Sequence, residues 1–130
     1  MPTAVLVVDD DDDIRDVLRA LLEDEGYSVD EARNGAEALR MLRSSSQRFV
    51  VLLDLRMPVL DGVAVVSTIA REKPLRTRHA YILATADNRT LPLAFAQQLT
   101  SLEIPVLSKP FEERKLFALV SAASSRLNDR

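Results

Sequence analysis

Short apolar runs alternating with amphipathic stretches along the whole chain predict an α/β domain built on a parallel sheet. Two observations carry this expectation. The runs, residues 4–8, 49–53, 81–84 and 105–107, are nearly continuous in Val, Leu, Ile and other apolar residues, as in strands covered on both faces. The stretches between them repeat apolar residues at helical spacing, and a helix after each strand is what parallel pairing with right-handed crossovers requires.

Taken in order, the first strand is Ala4-Val5-Leu6-Val7-Val8. Ile14, Val17, Leu18, Leu21 and Leu22 follow at i, i+3, i+4, i+7 and i+8, and Gly26 suits the residue just past the helix end. A weaker run over residues 27–32 has the mixed polarity of an edge strand. Asn34-Gly35 is a turn, and Ala36, Leu39 and Leu42 continue as a second helix. Ser44-Ser45-Ser46-Gln47 is a surface loop before the third strand. Val63, Val66, Ile69 and Ala70 mark a third helix with a stop at Pro74. Leu91, Ala94, Phe95 and Leu99 suggest a fourth, and Leu116, Leu119, Val120 and Ala123 a fifth. The predicted order is βαβαβαβαβα in one domain over residues 1–130, with no second domain.

Composition narrows the function. The chain has 130 residues, 47% hydrophobic and 28% charged, which suits one globular core. A net charge of -3 and scattered Lys and Arg argue against a nucleic-acid surface. The absence of cysteine excludes disulfides, thiolate metal sites and Cys nucleophiles. No apolar stretch approaches the ~18 residues that span a bilayer, and no signal peptide is evident, so a cytoplasmic protein without membrane contact is expected.

Five aspartates, Asp9 to Asp13, follow the first strand directly. Like charges about 4 Å apart repel by about 1 kcal/mol even in bulk water, so a helix terminus or a cation must offset them. In an open parallel sheet, ligands sit beyond the C-terminal strand ends. There the sequence puts Asp9 and Asp10 after the first run, Asp54 after the third, Thr85 after the fourth, and Ser108 and Lys109 after the fifth. Oxygen-only donors without His or Cys point to Mg²⁺. A lysine and a hydroxyl on the same edge suit a site that receives a phosphoryl group. Asp11, Asp12 and Asp13 are read mainly as solvated charges at the helix start, where the dipole favours them. Asp61-Gly62 is read as a turn and helix start. His79, the only histidine, lies in a polar stretch and is expected at the surface without a role.

These segments together resemble the receiver domains of two-component response regulators: V-L-V-V-D-D-D, L-L-D-L-R-M-P-V-L-D-G, A-T-A and S-K-P-F. The resemblance covers essentially the whole chain. It implies a doubly wound, flavodoxin-like (βα)5 fold with strand order 2-1-3-4-5, an arrangement for which the receiver CheY is a stock example. It implies Asp54 as the phosphoacceptor, Asp10 as a direct Mg²⁺ ligand, Asp9 acting through water and Arg56 giving its backbone carbonyl. Thr85 would bond the phosphoryl group and move inward, Ala86 would keep the approach open, and Lys109 would pair with phosphoryl oxygens. Lys109-Pro110 would be a cis peptide. The phosphoryl donor would be a histidine kinase or histidine phosphotransfer protein. A downstream protein would meet the face of the fourth helix, fifth strand and fifth helix, with no direct nucleic-acid contact. Catalysis would be limited to the chain's own phosphorylation and dephosphorylation, so the chain is not expected to be an enzyme.

The sequence departs from the family at Val106, where receivers often carry an aromatic ring or histidine that swings inward. The 88–104 segment lacks the usual Gly-Ala-Asp approach to the last strand, and Pro92 and Pro105 suggest an altered fourth helix and connection. Arg56 and Asp87 are expected to flank the entrance as an exposed ion pair that hinders water, worth at most ~1 kcal/mol. Two alternatives stay open on these residues. One is a receiver-like interaction module that is never phosphorylated. The other is a Mg²⁺-dependent phosphatase of the haloacid dehalogenase type, for which Asp9-Asp10-Asp11 supplies a D-x-D pattern but the chain supplies no cap domain.

Overall fold

The computed structural model describes residues 3–86 and 91–128. The elements are β1 (Ala4–Val8), α1 (Asp12–Asp24), β2 (Ser28–Ala32), α2 (Gly35–Ser44), β3 (Phe49–Asp54), α3 (Gly62–Arg71), α4 (Lys73–Arg78), β4 (Ala80–Thr85), α5 (Leu93–Ser101), β5 (Val106–Ser108) and α6 (Glu113–Asn128). All four strand pairings are parallel, and the order is β2-β1-β3-β4-β5.

The alternating faces of the strands explain why their sequences are apolar throughout. Leu6, Val8, Val51, Leu53 and Leu83 pack under α2, α3 and α5, through Leu39, Leu42, Val65, Ile69, Phe95 and Leu99. Val5, Val7, Val50, Leu52, Ile82 and Leu107 pack under α1 and α6, through Leu18, Leu22, Leu116, Val120 and Ala123. β2 buries only Val29 and Ala32, as an edge strand with mixed polarity should.

Local chemistry fixes the helix ends. Asp11 caps α1, its carboxylate accepting from the N–H groups of Asp13 and Ile14. Asn34 caps α2 and Asp61 caps α3 in the same way, so both predicted turns are N-caps. Gly26 follows the last residues of α1 at φ +95°, a left-handed conformation that glycine adopts without penalty.

Several expectations are corrected. Pro74 does not end the third helix; it sits in the first turn of α4, where its missing N–H costs nothing. The connection from β3 to β4 therefore holds two helices, the described residues hold six in all, and the predicted fourth and fifth helices are α5 and α6. The buried face of α1 is Arg15, Leu18 and Leu22, while Val17 is 59% exposed. Val63 is likewise exposed on α3, whose core contacts are Val65, Val66 and Ile69.

His79 is not at the surface. It is 1% exposed, its ring tilted against Phe49 with centroids 6.0 Å apart. The Phe49 N–H donates to Nδ1 at 3.0 Å, so Nε2 carries the hydrogen and points at the Leu42 carbonyl, 3.3 Å away. The imidazole thus ties the end of α2 to the start of β3. No helix among the described residues is long and apolar enough to cross a membrane.

Candidate phosphoacceptor site

Register delivers the site. Val8 is level with Leu53, Asp54 with Ala84, and Thr85 with Ser108, so Asp9, Asp54, Thr85 and Lys109 emerge at one edge of the sheet. The Asp9 N–H donates to the Ala32 carbonyl and the Lys109 N–H to the Thr85 carbonyl, at 3.1 and 2.7 Å, which extends the ladder into the site.

The ammonium of Lys109 stands between two carboxylates. Nζ donates to Asp54 Oδ1 at 3.0 Å and to Asp9 Oδ2 at 3.2 Å. Asp9 is 3% exposed, and its other oxygen accepts from the Asp11 N–H. Asp54 is half-buried and Asp10 exposed, and one oxygen from each of these three aspartates lies within 4.8 Å of the others. Burial holds the Asp54 carboxyl above its usual range; Lys109 opposes this, and Asp9 and Asp10 reinforce it. For Lys109, burial alone would lower the pKa, but pairing with Asp54 and Asp9 outweighs it and the net direction is upward. Three carboxylates against one ammonium leave two negative charges on oxygen-only donors. That donor set fits a hard divalent cation.

The remaining predicted residues fall as follows. Thr85 is buried in this structure, and Ala86 next to it is exposed. The Arg56 side chain is exposed, and because a guanidinium has no acceptor lone pair only its backbone carbonyl is a ligand candidate. Val106 is half-buried against the core, and Lys109-Pro110 is cis. Asp87, and with it the expected pair with Arg56, lies outside the described residues.

Two glycine and turn features hold the loop after Asp54. The Gly62 N–H donates to the Leu55 carbonyl at 2.7 Å, and a Cβ there would lie 2.8 Å from Leu55 Cα and 2.9 Å from the Asp54 carbonyl oxygen. Any side chain at Gly62 would push against the backbone of Asp54 and Leu55. Val59 is the centre of a tight turn, with the Leu60 N–H donating to the Pro58 carbonyl at 2.8 Å. Its φ is +70° and it is 81% exposed, an unfavourable conformation for a β-branched residue with no packing to offset it. Replacing Val59 by Asn, which tolerates the left-handed region, should raise unfolding free energy by about 1 kcal/mol. A denaturant midpoint that stays put or falls would contradict that strain.

Sequence reasoning missed Arg15. Its guanidinium donates to the Asp9 carbonyl at 2.7 Å and to Glu31 at 3.0 Å, and pairs with Asp12. Arg15 is thus a positioning residue that clamps the backbone of the acidic loop, and Asp12 is part of that clamp besides being in the first helical turn. The signal was present, because Arg15 shares the face of Leu18 and Leu22 at i, i+3 and i+7.

The family model for the response regulator receiver domain matches residues 5–121. The chain is 34% identical over 122 residues to the transcriptional regulatory protein CpxR homolog of Haemophilus influenzae, covering 94% of this chain and 50% of that protein. It is 39% identical over 116 residues to an uncharacterized 14.6 kDa protein of Leptolyngbya boryana, covering 89% and 86%. Among solved structures, the receiver domain of the Francisella response regulator 1452 superposes with a TM-score of 0.82 at 27% identity, covering 95% of this chain and 98% of that one. The match spans about half the length, or less, of curated relatives such as the CpxR homolog. The family match leaves out only the ends of the chain, and the chain belongs to the response regulator receiver domains of two-component signalling.

Proposed function

We propose that Asp54 accepts a phosphoryl group from a phosphohistidine on a histidine kinase or histidine phosphotransfer protein, with Mg²⁺ as the cofactor. The observation that carries this reading is the bridging ammonium of Lys109, 3.0 Å from Asp54 and 3.2 Å from Asp9, within a three-carboxylate cluster. An Asp54 carboxylate oxygen attacks phosphorus as the donor's N–P bond breaks, and the electron pair leaves on the imidazole nitrogen. Lys109 offsets charge on the phosphoryl oxygens, and the Thr85 hydroxyl donates to one of them. Asp9, Asp10, Asp54 and the Arg56 carbonyl would hold Mg²⁺, which when bound supplies further charge stabilisation at those oxygens.

The donor's route is supported by an apolar surface beside Lys109, formed by Ile14, Val17 and Leu21 of α1 with Pro110 and Phe111. Phosphorylation would alter partner binding on the face of α5, β5 and α6. Because Val106 replaces the usual ring, that change would run through Thr85 and the backbone of β4 and β5. We read the chain as a cytoplasmic switch and not as an enzyme acting on a separate metabolite.

Beryllofluoride with Mg²⁺ mimics the aspartyl phosphate and tests this reading. Backbone chemical shifts around Asp54, Thr85 and Lys109 should move in the wild type and stay fixed in Asp54→Asn. A wild-type spectrum that does not respond would favour an interaction module that is never phosphorylated.

A further inference from the structure

The edge of the sheet opposite the phosphoacceptor carries a cavity of mixed polarity. It has a volume of about 570 Å³ and opens between the ends of α3, α5 and α6 and the start of β4. That volume lies within the range of roughly 300–1,000 Å³ typical of small-molecule pockets. Six residues along β4 separate it from the phosphoryl edge by about 17 Å at ~3.3 Å per residue. Its wall includes Arg76 and Arg126 with the polar side chains of Gln98 and Ser101, and Tyr81 contributes an aromatic surface.

The two arginines, like Arg71 and Arg78, bond neutral oxygens rather than carboxylates. Arg15, Arg19, Arg33 and Arg43 each pair with a carboxylate. Arg76 donates to the Ala70 carbonyl at 2.7 Å, and Arg126 to the Glu103 carbonyl at 3.3 Å. Among the described residues neither has a carboxylate within ion-pair distance, and the buried Nε of Arg126 has no protein acceptor. The Glu103 carboxylate borders the same cavity, but its side chain is exposed and beyond that distance. A shallower depression shares Arg76 and adds Arg48 and Arg78, so positive charge gathers here in a chain of net charge -3. A buried N–H left unsatisfied is costly, and a guanidinium presents a fork of donors matched to planar or tetrahedral oxyanions.

We propose that this cavity binds the oxyanion of a small molecule, a phosphate or carboxylate group, held by Arg76 and Arg126. The arginine forks grip the charged group, the Arg126 Nε gains its missing acceptor, and Gln98 and Ser101 supply further hydrogen bonds. Tyr81 and the apolar side chains beside it leave room for an uncharged portion of the ligand.

Pyrophosphate and citrate serve as probes, titrated into the full chain with EDTA present and chloride matching the ionic strength. At a tenfold excess over Kd, one of them should raise the unfolding midpoint by roughly 5 °C. It should also shift the Arg126 Nε–H and Glu103 amide resonances saturably. Response to pyrophosphate alone assigns a phosphate ligand, and response to citrate alone a carboxylate. Arg126→Gln and, separately, Arg76→Gln should abolish the response while retaining the wild-type circular dichroism spectrum. Asp54→Asn should keep the response, and the arginine variants should still be phosphorylated, so this site and the phosphoacceptor reading fail independently. No saturable shift up to about 20 mM of either probe, a Kd limit equivalent to only ~2 kcal/mol of binding, would overturn the proposal. So would an undiminished response in both arginine variants.

Discussion

Lys109→Ala should slow phosphorylation by a small-molecule phosphodonor by about 10²- to 10³-fold, the usual loss when one preorganised charge donor is removed from a transferring group. The same substitution should tighten Mg²⁺ binding by about tenfold, because a positive charge disappears from beside the metal ligands. The opposite signs follow from the geometry. In the resting site the ammonium spans Asp54 and Asp9 at 3.0 and 3.2 Å, competing with a cation for the same carboxylates. In the proposed transfer it would serve the phosphoryl oxygens instead. Stopped-flow phosphorylation and a fluorescence or calorimetric Mg²⁺ titration measure the two effects separately. Loss of both activities together would point to collapse of the loop, and weaker metal binding with normal transfer would contradict the assigned role.

His79 should make the fold sensitive to acid. Burial pushes its pKa down to about 4, the Leu42 carbonyl partly opposes this, and Arg78 and Arg48 add to it. The sign follows from which state binds the proton. Between pH 6.5 and about 4 the unfolded chain is protonated at this residue while the folded one is not, so stability falls as pH falls. The stabilisation is fully present above pH 6.5 and declines by up to about 3 kcal/mol by pH 4, with no further loss below that. Glu31 and Glu72, held below the carboxylate range by Arg19 and Arg43 respectively, also lose stability toward acid. The readout is therefore the difference between wild type and His79→Gln in urea unfolding. That difference should narrow by up to about 3 kcal/mol from pH 7 to pH 4. Parallel pH curves for the two proteins would show that the buried imidazole titrates normally.

The inner strands β1, β3 and β4 were readable because both faces of the sheet are covered there, which turns each into a nearly unbroken apolar word such as Val50-Val51-Leu52-Leu53. The site was readable for the same reason: whatever follows those words must stand at the ligand edge, as Asp9, Asp54, Thr85 and Lys109 do. What escaped depends on contacts between residues distant in sequence. His79 is flanked by Arg78 and followed by a strand, and nothing local reveals that Leu42 and Phe49 close over its ring. Pro74 reads equally as a stop or as the first turn of another helix, and α4 follows α3 directly enough to make it the latter. On α1 the five-residue apolar stripe is wider than the surface it covers, so Val17 is left outside and Arg15 turns in to hold the Asp9 carbonyl. Val59 gave no sign of its left-handed backbone, because valine is a residue for which that conformation is least expected.

The central claim is that Asp54 is the phosphoacceptor, and intact mass after incubation with acetyl phosphate and Mg²⁺ tests it most directly. The wild type should gain the mass of one phosphoryl group, mapped by peptide analysis to Asp54 and lost when EDTA replaces Mg²⁺, and Asp54→Asn should gain none. A phosphoryl group carried by Asp54→Asn to the same extent, or an unmodified wild type under these conditions, would contradict the account.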